Sequence, residues 1–263
     1  MHTILYTAPH TAPFAAMHND SPNHPSQTMT APRTPIRCAE AGNMLVMILI
    51  AIGLMAALTA VVSQGFSGGK GTKDLEVKTQ VAQVLRYSSG VKSAVDDIYT
   101  NKNASETDLR FGAAATTLTG YGAATTTPTF QVFNELGGGA SVMKIPSGIS
   151  NGDQWEFYGF TRAPDVGVDA TPDLMMVLPN VTLAFCQGVN ETLGYAKGAT
   201  PPIDSTADGK CIHNTATRFN GTFATGGGIN DMDRANFTVK PAKYGCVQCA
   251  GPAYHYFYVL LER

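Results

Sequence analysis

The chain has 263 residues, enough for one or two domains, and only 14% of them are charged. Net charge is -2 and Lys and Arg form no cluster, which excludes a protein that holds nucleic acid by neutralising phosphates. A hydrophobic content of 44%, with 12 Phe and 10 Tyr, excludes wholesale disorder.

Residues 1–42 carry prolines at positions 9, 13, 22, 25, 32 and 35 with no helical or strand period, and read as a disordered leader. His2, His10, His18 and His24 fall here, but without fixed geometry they make no specific metal site. The run Met44 to Val62 follows, 19 residues without a charge. As a helix it is about 28 Å long, close to the hydrocarbon thickness of a bilayer. A transmembrane and assembly helix is therefore expected over 43–64. Arg33 and Arg37 before it favour a cytoplasmic N-terminus. That predicts a single-pass inner-membrane protein with its C-terminal head in the periplasm. The rival is a cleaved signal peptide with a cut after Ser63-x-Gly65.

Gly65 to Gly71 is glycine-rich and reads as a hinge. Its Gly-Lys string misses the phosphate-loop pattern at both ends. From 72 onward a globular head is expected, opened by an amphipathic helix. Thr72 is its candidate N-cap, and Val77, Val81, Val84, Leu85, Val91, Val95 and Ile98 recur at helical spacing. Residues 101–150 are rich in Gly, Ala and Thr, with Phe130–Leu136 as a short strand or turn edge. Trp155–Phe160 and Leu174–Leu178 read as strands, and Pro179 as the first position of a helix running to about Gly194. Pro201–Phe237 is loop-rich, and Ala253–Leu261 is the best strand. The sum is an α+β fold with a small antiparallel sheet against a long N-terminal helix, transmembrane at first and then amphipathic.

The junction Ala41-Gly42-Asn43-Met44-Leu45 resembles that of the type IV prepilins, and the helix GNMLVMILIAIGLMAALTAVVSQ is similar to that of pilin-like proteins of Gram-negative bacteria. VFNELGGGASV (132–142), LAFCQGVNETLGY (183–195) and YHYFYVLLER (254–263) are similar to stretches of the same group. The resemblance implies a pilin-like fold and cleavage by a prepilin peptidase between Gly42 and Asn43. It implies a subunit anchored in the bilayer or packed with itself or other pilin-like subunits in a filament. Shaft pilins carry Glu at the fifth mature position, where this chain has Met47. That departure points to a minor, pseudopilin-like role. The alternatives are a single-pass protein with a periplasmic binding head and a secreted protein.

Cys38 lies in the leader; Cys186, Cys211, Cys246 and Cys249 remain, the even number two disulfides require. Three connectivities exist, and the reading pairs Cys211 with Cys246 and Cys186 with Cys249. Cys246-x-x-Cys249 has no second close pair to complete a zinc ribbon, and Pro241 and Gly251-Pro252 argue against a redox helix. Asn230-Asp231-Met232-Asp233 lacks the spacing of a calcium loop. His213 stands alone, and His255 reads as a satisfied strand histidine. No catalytic set emerges, so neither enzyme activity, nor a metal, nor a cofactor is expected.

Overall fold

A computed structural model describes the protein at Ile52 and over residues 69–263, apart from 113–117, 122–126, 153, 169, 205–209 and 250. The leader, the Gly42–Asn43 junction, most of the apolar run and most of the hinge therefore lie outside the described residues.

Helix α1 spans Gly69–Asn101, 33 residues. It begins inside the expected hinge and runs through Gly71 rather than starting at Thr72. The apolar stripe is as the spacing predicts: Val81, Val84, Val91, Val95 and Ile98 are buried, while Lys78, Arg86 and Asp96 face outward. Residues 71–76 are exposed, so the first turns stand clear of the core.

The strands are β1 (Glu156–Arg162), β2 (Asp173–Val181), β3 (Asn230–Asp231), β4 (Tyr244–Gln248) and β5 (Tyr254–Leu261). They form one sheet in the order β3-β1-β2-β5-β4. β1–β2, β2–β5 and β5–β4 pair antiparallel, whereas β1 and β3 pair parallel through Thr161–Asn230 and Arg162–Asp231. Helix α2 (Leu183–Thr192) connects β2 to the long excursion that follows.

This corrects the expected pilin-like fold of a long helix, transmembrane then amphipathic, on a small antiparallel sheet. The sheet is mixed, five-stranded and curled into a half-barrel. It is mixed because the chain, after α2 and the 193–229 excursion, returns alongside β1 in the same direction. β2 is buried at every position but Asn180, the pattern of a strand covered on both faces. One face packs Trp155, Phe157, Leu174, Met176 and Tyr256 against α1, α2 and the 102–150 segment. The other packs Tyr158, Phe160, Val177 and Phe257 under Ile212, Met232 and Phe237 of the 201–243 segment. Helix α1 is thus one of two covers. Each such side chain removed from water contributes about 1.5–3 kcal/mol, and Phe111 stacks on Phe157 with ring centroids 3.9 Å apart.

Among the described residues no helix is long and apolar enough to cross a membrane. The single-pass inner-membrane placement with a periplasmic head is corrected accordingly. Lys73, Asp74, Glu76, Lys78, Arg86 and Asp96 are exposed along α1, and of the apolar run only Ile52 is described.

Pro179 is a strand residue, not a helix start. Asn180 takes φ 51°, and the β2–β5 register shifts between Leu178 and Val181. The strand accommodates the proline at this bulge and goes on to pair Val181 with Tyr254. The helix signal belongs to Thr182, whose hydroxyl accepts the Phe185 N–H at 3.4 Å. Of the two readings of Phe130–Leu136, short strand or turn edge, the turn holds: Phe130 closes a 3-10 turn.

Backbone beyond the sheet also pairs with parts of β1 and β4. Along β1, Phe219 N donates to Phe157 O at 2.8 Å and Ala224 N to Gly159 O at 2.9 Å. Along β4, Gln248 exchanges bonds with Pro202 O and Asp204 N at 2.8 and 2.9 Å.

Candidate functional site

Alternation along β1 sends Trp155 and Phe157 toward α1, and Glu156 and Tyr158 toward the 201–243 cover. Glu156 is thereby a carboxylate in the interior, 3% exposed. Such a charge is retained only with partners. Arg218 Nη2 donates to Oε1 at 2.7 Å and His213 Nε2 lies 3.0 Å from Oε2. The Tyr158 hydroxyl also donates to Oε2. Burial raises the Glu156 carboxyl, but hydrogen bonds from His213, Tyr158 and Arg218 outweigh it and hold the group at about 2. Burial and the neighbouring carboxylate push the Tyr158 phenol well above its ordinary range.

The cover is positioned by backbone as well. Arg218 forms an antiparallel bridge with Tyr158, which aims its guanidinium along β1. The His213 ring stacks on that of His255, with centroids 5.0 Å apart and planes 19° from parallel. His255 is 3% exposed, and its Nδ1 accepts the Asn180 N–H at 3.3 Å. Burial first, and the neighbouring His213 ring second, push its imidazole down to about 4. At neutral pH it is uncharged.

The four cysteines meet beside this cluster, in a pairing other than the expected one. Cys186 of α2 is bonded to Cys246 of β4, and Cys211 to Cys249. Strand alternation decides this. Cys246 points into the helical face, where α2 brings Cys186; Cys249 lies past the strand end, beneath the cover that carries Cys211. Each face of the sheet is thus fastened by one disulfide. A sulfur of Cys211, a sulfur of Cys249 and a ring nitrogen of His255 all lie within 4.8 Å of one another.

A second feature is a groove of about 890 Å³ on the α1 side, lined by Phe133, Val142, Met143, Ile145 and Trp155, with Glu135 and Lys144 among its polar residues. Trp155 Nε1 donates to Met143 O at 2.8 Å, fixing one wall. Tyr87 lies beside Trp155 with ring centroids 5.0 Å apart, and burial raises its phenol to about 12.

A carboxylate held ionised down to about 2 is a weak general base at neutral pH, where a catalytic pKa near 7 works best. The nearby thiols are bonded to each other. The contacts of His213 and Arg218 with Glu156 and Tyr158 tie residues 213–218 to β1. Gly42 and Asn43 fall outside the described residues. Asp231 pairs with Arg162 at 2.7 Å, and Asp233 accepts from Asn236 at 3.2 Å. Sequence reasoning missed Glu156, Tyr158 and Arg218. The available signal was a lone carboxylate inside the run Trp155–Phe160, where a buried charge demands a cationic partner.

Comparison with family models, with curated proteins and with solved structures finds no match.

Proposed function

We propose that the chain is an assembly subunit that works in the manner of type IV pilin-like proteins. Its N-terminal apolar segment packs against the same segment of other copies, and the disulfide-fastened body is what the polymer displays. The likeness concerns the mode of assembly, not the sheet of the head. The observation that carries the reading is the start of α1, where residues 71–76 are exposed and lead back along the chain to the uncharged run 44–62. An uncharged apolar run of this length gains by burial against like stretches. Two disulfides support a head that works in an oxidising compartment. The ionised, fully partnered state of Glu156 supports a holding rather than a proton-transferring role for that carboxylate.

The test is mass spectrometry of the mature N-terminus in a host that has a prepilin peptidase, with filament preparations examined in parallel. The expected product begins at Asn43 and is recovered in sheared filaments. A start at Met1, Met17 or Met29, or near Phe66, overturns the reading.

A further inference from the structure

The sheet face opposite α1 gathers two cysteines and two histidines from three separate segments. Cys211 and His213 sit two residues apart on the cover, Cys249 follows β4, and His255 lies in β5. Three of the four already place a ligand atom within 4.8 Å of each other. The fourth, His213, is stacked face to face on His255 with centroids 5.0 Å apart, and joins the set only by turning its ring out of that stack.

We propose that Cys211, Cys249, His255 and His213 form a thiol-gated Zn(II) site, closed while the two sulfurs are bonded to each other and opened when that bond is reduced. Reduction breaks the Cys211–Cys249 bond with two electrons and two protons taken from a dithiol, whose own sulfurs join as a disulfide. Zn(II) then displaces the two thiol protons to solvent and is held by two thiolates and two neutral imidazoles. The dication and the two thiolates cancel in charge, which suits a place where Cys249 is 6% and His255 3% exposed.

Glu156 gives the set its orientation. A neutral His213 that donates from Nε2 to Oε2 of Glu156, at 3.0 Å, carries its free lone pair on Nδ1. This is the carboxylate–histidine relay that fixes the ring and raises the basicity of a zinc ligand. For His255, ligation through either ring nitrogen gives up the 3.3 Å contact from Asn180 N–H, the longest hydrogen bond among those described for the cluster. The second disulfide, Cys186–Cys246, has no part in the site, because it lies on the other face of the sheet.

The experiment uses the full chain, reduced with excess dithiol and freed of it under nitrogen, then titrated with Co(II) as a coloured stand-in and back-titrated with Zn(II). The expected result is a thiolate-to-cobalt charge-transfer band with tetrahedral ligand-field bands, saturating at one equivalent, lost on addition of Zn(II) and absent from the oxidised chain. His255→Ala and Glu156→Gln leave every cysteine in place and should weaken Co(II) binding at least about tenfold. Reduced chain without these bands overturns the site, as do equal bands in Cys211→Ser or Cys249→Ser. So does a reduced chain that loses its far-ultraviolet circular dichroism and does not regain it with metal.

Discussion

The side chain of Asn190 in α2 makes both hydrogen bonds that a neighbouring strand would make to Cys246. Its Oδ1 accepts the Cys246 N–H at 2.9 Å, and its Nδ2 donates to the carbonyl of the same residue at 3.0 Å. Asn190 is itself 3% exposed, and its helix is tied to that strand by the Cys186–Cys246 bond.

Replacing Asn190 by Ala strands a buried N–H and a buried C=O together. Each costs about 1–3 kcal/mol when left unpaired. Asn190→Ala should therefore lose about 2–6 kcal/mol in denaturant melts of the oxidised protein. A loss below about 0.5 kcal/mol refutes the strand-mimic role.

Each disulfide closes a long loop, of sequence separation 60 for Cys186–Cys246 and 38 for Cys211–Cys249. Loop entropy predicts about 4 kcal/mol of stabilisation from either. Peptide mapping without reduction should recover these two linkages. Recovery of Cys211–Cys246 instead refutes the placement of one bridge on each face.

Glu156 is held at about 2 against an ordinary 4.5. A depressed carboxylate stabilises the fold at pH values above 4.5, and that stability is lost as pH falls from 4.5 toward 2. Glu156→Gln should lower stability at neutral pH by about 2–3 kcal/mol and flatten the acid limb. An acid limb identical to the unsubstituted protein's refutes the clamp.

Asp173 behaves in the opposite sense. Burial raises its carboxyl to about 6 from 3.8, although the N–H groups of Ala163 and Arg263 pull it back. The folded state binds this proton more tightly than the unfolded one, so stability falls as pH rises from about 4 to about 6. With the Glu156 gain complete by about pH 4.5 and the Asp173 loss beginning near pH 4, these two groups together place the stability maximum at about pH 4. A melting temperature that climbs steadily from pH 5 to 7 contradicts the assignment.

Gly137 packs against backbone: a Cβ there would stand 2.1 Å from Gln131 O and 2.8 Å from Pro128 O. Gly139, at φ 64°, would meet nothing within 4 Å. Gly137→Ala should cost more than about 3 kcal/mol by displacing the turn, and Gly139→Ala about 1 kcal/mol through its left-handed backbone alone. Urea melts of the two variants give the ranking, and equal losses refute it.

Elements with a strong period were legible in the sequence. The α1 stripe from Val81 to Ile98, the apolar core of β2 and the aromatic run of β5 announce themselves because one face, or both, must leave water. Strand β4 escaped notice, since Tyr244–Gln248 is five residues with a glycine inside. The parallel partner β3 is only two residues long, too short for any pattern. The end of β2 misled because Pro179 signals a helix start in isolation; only the bulge at Asn180 and the pairing of Val181 with Tyr254 make it strand. The even cysteine count was legible, but the partners were not, because pairing depends on which face of β4 a residue occupies. The Glu156 cluster draws on residues 62 positions apart, from Glu156 to Arg218, and such proximity exists only after the sheet has closed.

With the flank of β1 met by residues 218–224, and that of β4 met by Asn190 at Cys246 and by the 202–204 segment at Gln248, these two strands offer little vacant ladder to a passing molecule. That coverage opposes recruitment of heads one after another by strand templating, the route by which concentrated β-rich domains turn into insoluble fibre. Copies held close together therefore remain discrete beads, and any ordered array they build must be specified by side-chain surfaces.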